Sequence, residues 1–205
     1  MRALVTGFEA FGGARANASY AAVARLPERI GALDIVTAQL PTSYARSGAA
    51  LIREIERVEP ALVLCVGEAG ERHELNVERV ALNVQDARIA DNDGAQPIDV
   101  PVVKAAPTAY FATLPVRAIH DALIAAHLPA TLSNSAGTFV CNHVFYTLLH
   151  YAAVATVKLT GGCLHVPAWR ADSAAPVMTL DDIVRGITIA LEVSVASRVS
   201  APRPF

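Results

Sequence analysis

SNSAGTFVCNHVFYTLLHY, residues 133 to 151, joins an extended run to a helix. The β-branched and apolar residues from Pro129 to Ser133 lead into the small-residue turn Ala136-Gly137, and Thr138-Phe139-Val140 bring the chain to Cys141. From there Val144, Leu148 and Ala152 recur at helical spacing with Phe145 and Leu149 beside them, which predicts a helix with an inward face. Cys141 therefore falls among the N–H groups of a first helical turn that have no intrahelical acceptor. A helix N-terminus favours an anion, and the thiolate is the nucleophilic form of cysteine, so the position suits a reactive thiol. The competing reading is a small, inert core residue packed near Phe145.

Outward from this unit, strands and helices alternate. Arg2 to Thr6 reads as a strand closed by the glycine-bounded loop Gly7 to Gly13, and Asn17 or Ser19 caps a helix running to about Arg25. Leu33 to Gln39 reads as a strand, Ser43 to Val58 as an amphipathic helix, and Ala61 to Val66 as a fully buried parallel strand. Val77 to Val84 follow as an extended run, and Asn92-Asp93-Gly94 marks a tight turn between extended arms, an edge hairpin. Pro97 and Pro101 hold its second arm at an edge or outside the ladder. A helix is expected near Val116 to His127, a strand from Ala155 to Val166 stopped by Pro167, and a last helix from Leu180 to Val199 entered at Thr179. The tail from about Ser200 to Phe205 is expected to fray. No repeat or linker interrupts the pattern. The expectation is one domain over residues 1 to 205, a three-layer α/β/α sandwich around a mainly parallel, twisted sheet with an edge hairpin.

Composition narrows the function classes. The chain has 205 residues, 53% of them apolar and 18% charged, with a formal net charge of −2. Lys and Arg are scattered, which argues against nucleic acid as a partner. No apolar run is long enough to span a bilayer, and MRALVTGFEAFGG holds too short an apolar stretch for a secretory signal. Cys65, Cys141 and Cys163 make an odd count without a disulfide framework, which points to the cytoplasm.

A nucleophilic cysteine needs a base, and six histidines compete. His143, two residues beyond Cys141, points about 200° away around a helix. His150 lies further along, His120 and His127 belong to a polar-faced helix, and His73 to a loop. His165 follows a strand end, as does Cys141, and sites of open α/β sheets form beyond the carboxyl ends of strands. A lone histidine there more commonly hydrogen-bonds backbone. An orienting carboxylate has five candidates, Glu68, Glu74, Glu78, Asp86 and Asp91, and spacing does not choose among them. A rival reading takes Cys141-x-His143 and Cys163-x-His165 as soft metal ligands. On a strand Cys163 and His165 share a face, which would make a metal-dependent hydrolase, but the usual structural spacings are missing. A further alternative is a non-catalytic binding protein on the same fold.

Four blocks carry a family resemblance: GFEAFGG with Asn17 and Ser19, ERVALNVQDARIADNDGAQPID from Glu78, SAGTFVCNHVFY from Ser135, and GGCLHVP from Gly161. Together they resemble the pyroglutamyl peptidase I family, also called pyrrolidone-carboxylate peptidases, cytosolic cysteine peptidases that remove N-terminal pyroglutamate. The resemblance implies Cys141 as nucleophile, His165 as base and Glu78 as the orienting acid, with no metal or cofactor. It implies a homotetramer acting on peptides with N-terminal pyroglutamate. It also implies a substrate pocket of Phe8, Phe11, Thr42, Arg88, Ile89, Phe139 and Val140, read as an apolar slot without a carboxylate paired to the substrate's nitrogen. Asn76, Ala90 and Cys163 depart from the residues the family commonly has, Ser or Thr, Pro, and an aromatic.

Overall fold

The structure, a computed structural model, describes residues 1–155, 158–169 and 178–200. The chain begins with β1 (Arg2–Phe8), α1 (Ala18–Val23), the two-residue β2 (Arg29–Ile30), β3 (Leu33–Leu40), α2 (Ser47–Val58) and β4 (Leu62–Glu68). It continues through β5 (Leu75–Glu78), β6 (Val80–Leu82), β7 (Ala109–Phe111), α3 (Val116–Ala125) and β8 (Ala130–Ser133). Last come α4 (Val140–Val154), β9 (Thr160–Val166) and α5 (Leu180–Ser200). Among the described residues, seven strands form one sheet in the order β2-β3-β1-β4-β9-β5-β8, and β6 pairs with β7 in a separate ribbon.

Strand periodicity divides the core in two. Side chains alternate across a sheet, so Ala3, Val5, Leu62, Leu64, Val66, Leu75, Val77, Leu164 and Val166 pack with the buried residues of α1, α3 and α5. Leu4, Phe8, Val63, Cys65 and Cys163 pack on the opposite face with α2 and α4. The same parity puts Asn76, Glu78 and His165 on the α2/α4 face. Helix α4 is buried nearly all round, including Asn142, His143 and Tyr146, because the sheet, α2 and the β6–β7 ribbon surround it. Its inward face is thus wider than the predicted stripe. At its start Asn142 is locked: its Nδ2 donates to the carbonyls of Leu82 (2.9 Å) and Val84 (3.0 Å), and its Oδ1 accepts from Leu82 N–H (2.9 Å).

Several expectations shift. Helix α2 starts at Ser47 rather than Ser43, because the Ser43 hydroxyl donates to Asp93 (2.6 Å) and accepts from Arg46 N–H (3.2 Å), which makes a turn. The run Val77 to Val84 splits at Arg79 between the main sheet and the ribbon. Asn92-Asp93-Gly94 does turn the chain, but its arms are not ladder strands; one isolated bridge, Gln85 to Val100, joins them. Asp91 is the reason: its carboxylate accepts from the N–H groups of Asp93 (2.9 Å), Ala95 (2.8 Å) and Tyr44 (2.8 Å), an Asx-type turn tied to another loop. Strand β9 begins at Thr160, residues 156–157 lying outside the described residues, and α3 ends at Ala125. Thr179 caps α5 by exchanging bonds with Asp182, and the expected frayed tail beyond Ser200 lies outside the described residues. No helix among the described residues is long and apolar enough to cross a membrane.

Strand direction needs one correction with consequences for the site. β1 pairs in parallel with β3 and β4, and β4 with β9, but β5 is antiparallel to β9 and parallel to β8. The carboxyl end of β8 therefore points away from the edge where β1, β4 and β9 end. Cys141 does not reach His165 by following a neighbouring strand end; the loop from Asn134 to Phe139 delivers it to the α4/sheet interface. The carboxyl-edge rule holds for His165 alone.

Candidate active site

Three elements meet at the edge where β4 and β9 end. His165, 4% exposed, is the penultimate residue of β9 and sits beside Gly67 of β4 in register. Its Nδ1 lies 2.8 Å from Glu78 Oε1, and Glu78 is fully buried on the adjacent, antiparallel β5. On its other side the imidazole faces the Cys141 thiol, with Nε2 and Sγ converging on the same space above Gly67. Burial opposes an imidazolium here, but the hydrogen bonds and charges of Cys141 and Glu78 outweigh it, and the His165 pKa is raised to about 9. Cys141 is the second residue of α4, partly exposed, and no side chain caps the helix at Phe139. The first amides of α4 therefore have neither an intrahelical acceptor nor a capping oxygen.

Gly67 makes the contact possible. A Cβ at this position would lie 2.8 Å from Cys141 Sγ and 3.0 Å from His165 Nε2, closer than packed atoms tolerate. The thiol and imidazole thus come together in the space a side chain on β4 would fill. Gly67→Ala is expected to lower kcat/KM at least about tenfold through kcat, since misplacing reacting groups by about 1 Å is costly. Steady-state kinetics with circular dichroism checks it; unchanged kcat in a folded variant would show that the pair does not need this space.

The dyad opens into a cleft of about 440 Å³. Of the expected pocket residues, Phe8, Phe11, Thr42, Arg88, Ile89 and Phe139 line it together with Cys141 and His165. The rings of Phe11 and Phe139 lie 5.9 Å apart, and Tyr44 braces Phe139 edge-on at 5.7 Å. Val140 does not line the cleft: its side chain is fully buried in the α2/α4 core, because the first residue of the helix turns inward. Glu78 stands behind His165 rather than in the cleft wall.

The wall also holds polar groups outside the expected pocket set, among them Asn17, Glu68, Arg72 and Asp86, of which Arg72 alone was not singled out in the sequence. The expected slot is therefore not free of carboxylates. Glu68 accepts from Ala18 N–H at the start of α1 (2.6 Å). Loops are stitched around the mouth: Thr42 donates its hydroxyl to Glu9 C=O (3.1 Å), Asn92 donates to Glu9 Oε1 (2.9 Å) and Ala10 C=O (2.8 Å), and Thr138 donates to Asp86 C=O (2.6 Å). The turn at residues 91–94 thereby anchors Arg88 and Ile89 against the aromatic loop.

The remaining histidine of the C-x-H pair is elsewhere. His143 packs edge-on against Tyr44 at 5.8 Å, and its Nε2 lies 3.1 Å from where a Cβ on Gly48 would sit. Cys163 shares the sheet face of His165, as strand spacing predicts, but the imidazole is already engaged by Glu78 and Cys141. No group of three or more His, Cys, Asp or Glu among the described residues has the geometry to hold a metal ion. The metal-site reading finds no support in these donors.

A buried carboxylate and an imidazole on neighbouring strands, with an accessible thiol at the start of a helix packed on the same sheet face, are the parts of a cysteine hydrolase. The chain belongs to the pyroglutamyl peptidase family, whose profile matches residues 1–197. The pyrrolidone-carboxylate peptidase of Alkaliphilus oremlandii (strain OhILAs) is 43% identical over 204 residues, covering 97% of this chain and 95% of that protein. The Bacillus cereus (strain ATCC 10987 / NRS 248) enzyme of the same name is 43% identical over 201 residues, covering 96% and 94%. The crystal structure of pyroglutamyl peptidase I from Bacillus amyloliquefaciens superposes with a TM-score of 0.91 at 37% identity, covering 95% of this chain and 97% of that one. Pyrrolidone carboxyl peptidase from Thermococcus litoralis gives 0.91 at 36% identity, covering 100% and 99%.

Proposed function

We propose that this protein removes N-terminal pyroglutamate from peptides, with Cys141 as nucleophile, His165 as general base and acid, and Glu78 orienting the imidazole. The line Cys141–His165–Glu78, with the imidazole bonded to Glu78, facing the thiol and opening into a phenylalanine-lined cleft, carries the reading. The Cys141 thiolate, its proton held by His165, attacks the carbonyl that links pyroglutamate to the next residue. The negative charge moving onto that oxygen is met by the backbone N–H of Cys141, aided by the positive end of α4, with Arg88 on the cleft rim as a second donor. As the C–N bond breaks, His165 passes its proton to the departing amine. It then takes a proton from water, whose oxygen attacks the thioester and frees pyroglutamate and Cys141. Glu78 holds Nδ1 so that Nε2 faces the thiol.

Pyroglutamate is a flat, neutral lactam that fits between Phe8, Phe11 and Phe139. An N-terminal Gln brings an ammonium that must leave water to pass the phenylalanine rings. A fluorogenic pyroglutamyl amide is expected to be cleaved, and the glutaminyl and prolyl amides at least about a hundredfold more slowly in kcat/KM. Comparable cleavage of either would show that the cleft reads something other than a neutral lactam. Three free thiols fit a reducing cytoplasm, and family resemblance supports a homotetramer.

A further inference from the structure

Behind the reacting pair, two cations converge on one carboxylate oxygen. Glu78 Oε1 accepts from His165 Nδ1 at 2.8 Å and from Arg72 Nη1 at 2.6 Å, while Oε2 is buried without a hydrogen-bond partner. Arg72 lies on the loop between β4 and β5, and its guanidinium is held on three sides. Nη1 also donates to Asn76 Oδ1 (2.7 Å), and Nη2 to Ser135 C=O (3.0 Å) on the loop leading to Cys141. Its side chain is 31% exposed and reaches the cleft wall, whereas Glu78 has no exposure at all.

This arrangement answers a charge problem that His165 alone cannot. A carboxylate sealed from water needs a neighbouring positive charge. The imidazolium supplies one only while His165 is protonated, and the reaction requires it to give that proton to the leaving amine. With no other cation, proton release would strand an uncompensated buried anion, and His165 would act as a proton trap. A guanidinium stays charged throughout and is fixed by its fork of bonds.

We propose that Arg72 is a positioning residue that neutralises Glu78 in both protonation states of His165 and so lets the imidazole surrender its proton. The inference rests on the Cys141–His165–Glu78 chemistry above. The charged and titratable groups around the imidazole are Cys141 from α4, Glu78 from β5, Cys65 and Glu68 from β4, Cys163 from its own strand, and Arg72. Removing the fixed positive charge stabilises the imidazolium and destabilises the thiolate, so both limbs of the pH profile should rise.

The test uses Arg72→Met and Arg72→Gln, which discard the charge, and Arg72→Lys, which keeps it. Two readouts are followed across pH: kcat/KM on a pyroglutamyl amide and the rate of Cys141 alkylation by iodoacetamide. In both neutral variants the limbs should move up by about one pH unit and kcat should fall more than KM changes. Arg72→Lys should keep wild-type limbs. Limb positions report only the folded, active fraction, so a loss of stability does not hide the shift, and Arg72→Gln retains a donor toward Glu78 if Arg72→Met folds poorly. Neutral variants with wild-type limbs would overturn the proposal and leave Arg72 as a loop anchor. Failure of the underlying chemistry looks different: alkylation of wild-type Cys141 would then leave activity intact.

Discussion

Cys141→Ala is expected to lower kcat/KM for a pyroglutamyl amide by at least about a thousandfold, because no other cleft side chain among the described residues is a thiol beside an imidazole. Iodoacetamide should reproduce the loss in the wild type by modifying Cys141 ahead of the other two thiols. The reason lies in where those thiols sit. Cys65 and Cys163 are 1% and 4% exposed on adjacent strands, facing the α2/α4 core. Burial pushes the Cys65 thiol up to about 12, and it pushes Cys163 well above its ordinary value with the Glu78 charge adding to it. Both stay protonated and unreactive near neutral pH, whereas Cys141 opens to the cleft beside an imidazole. Peptide mapping at partial inactivation checks this. Full loss of activity with Cys141 unmodified would remove it from the mechanism.

His165→Ala should cost at least about a hundredfold in kcat/KM, the low end for a general base, while His143→Ala should leave kcat/KM within a few-fold. The two histidines differ in surroundings more than in sequence context. His165 joins a thiol to a carboxylate. His143 is 9% exposed with its Nδ1 unpartnered, and burial lowers its pKa to about 4, so it remains a neutral ring wedged against α2. Truncating it removes packing beside Tyr44 and Gly48 and should cost about 2 kcal/mol of stability by the logic of core truncation. Denaturation curves run beside the kinetics separate the two effects. Equal losses of kcat/KM in two folded variants would contradict the geometry.

Much of this architecture was legible in the chain itself. The short apolar run Leu62 to Val66 between Pro60 and Gly67 reads as a buried strand, and Val144, Leu148 and Ala152 recur at helical spacing, so the order of elements follows from local patterning. The motif blocks marked Cys141, His165 and Glu78. Apart from those blocks, Glu78 was one of five candidate carboxylates, in a stretch, ELNVERV, that alternates apolar and polar residues like a half-exposed strand. Gly67 carried only a weak signal, a glycine closing the run LVLCVG.

The rest depended on strand order and direction, which periodicity does not encode. Arg72 reads as an unremarkable loop arginine until β5 runs antiparallel to β9 and brings Glu78 beside Cys163 and Asn76 beside His165. Asn92-Asp93-Gly94 has the composition of a hairpin turn; only the contact of Asp91 with Tyr44 N–H and of Asn92 with Glu9 makes it an anchor for the pocket rim. Val140 and Phe139 are neighbours in sequence, yet one faces the core and the other the cleft, because the first turn of α4 sets their directions against the sheet. Local sequence determined the kinds of element and the residues able to do thiol chemistry. Tertiary structure decided which carboxylate and which cation stand behind the histidine, because those contacts join residues far apart in the chain and exist only once the strands are ordered.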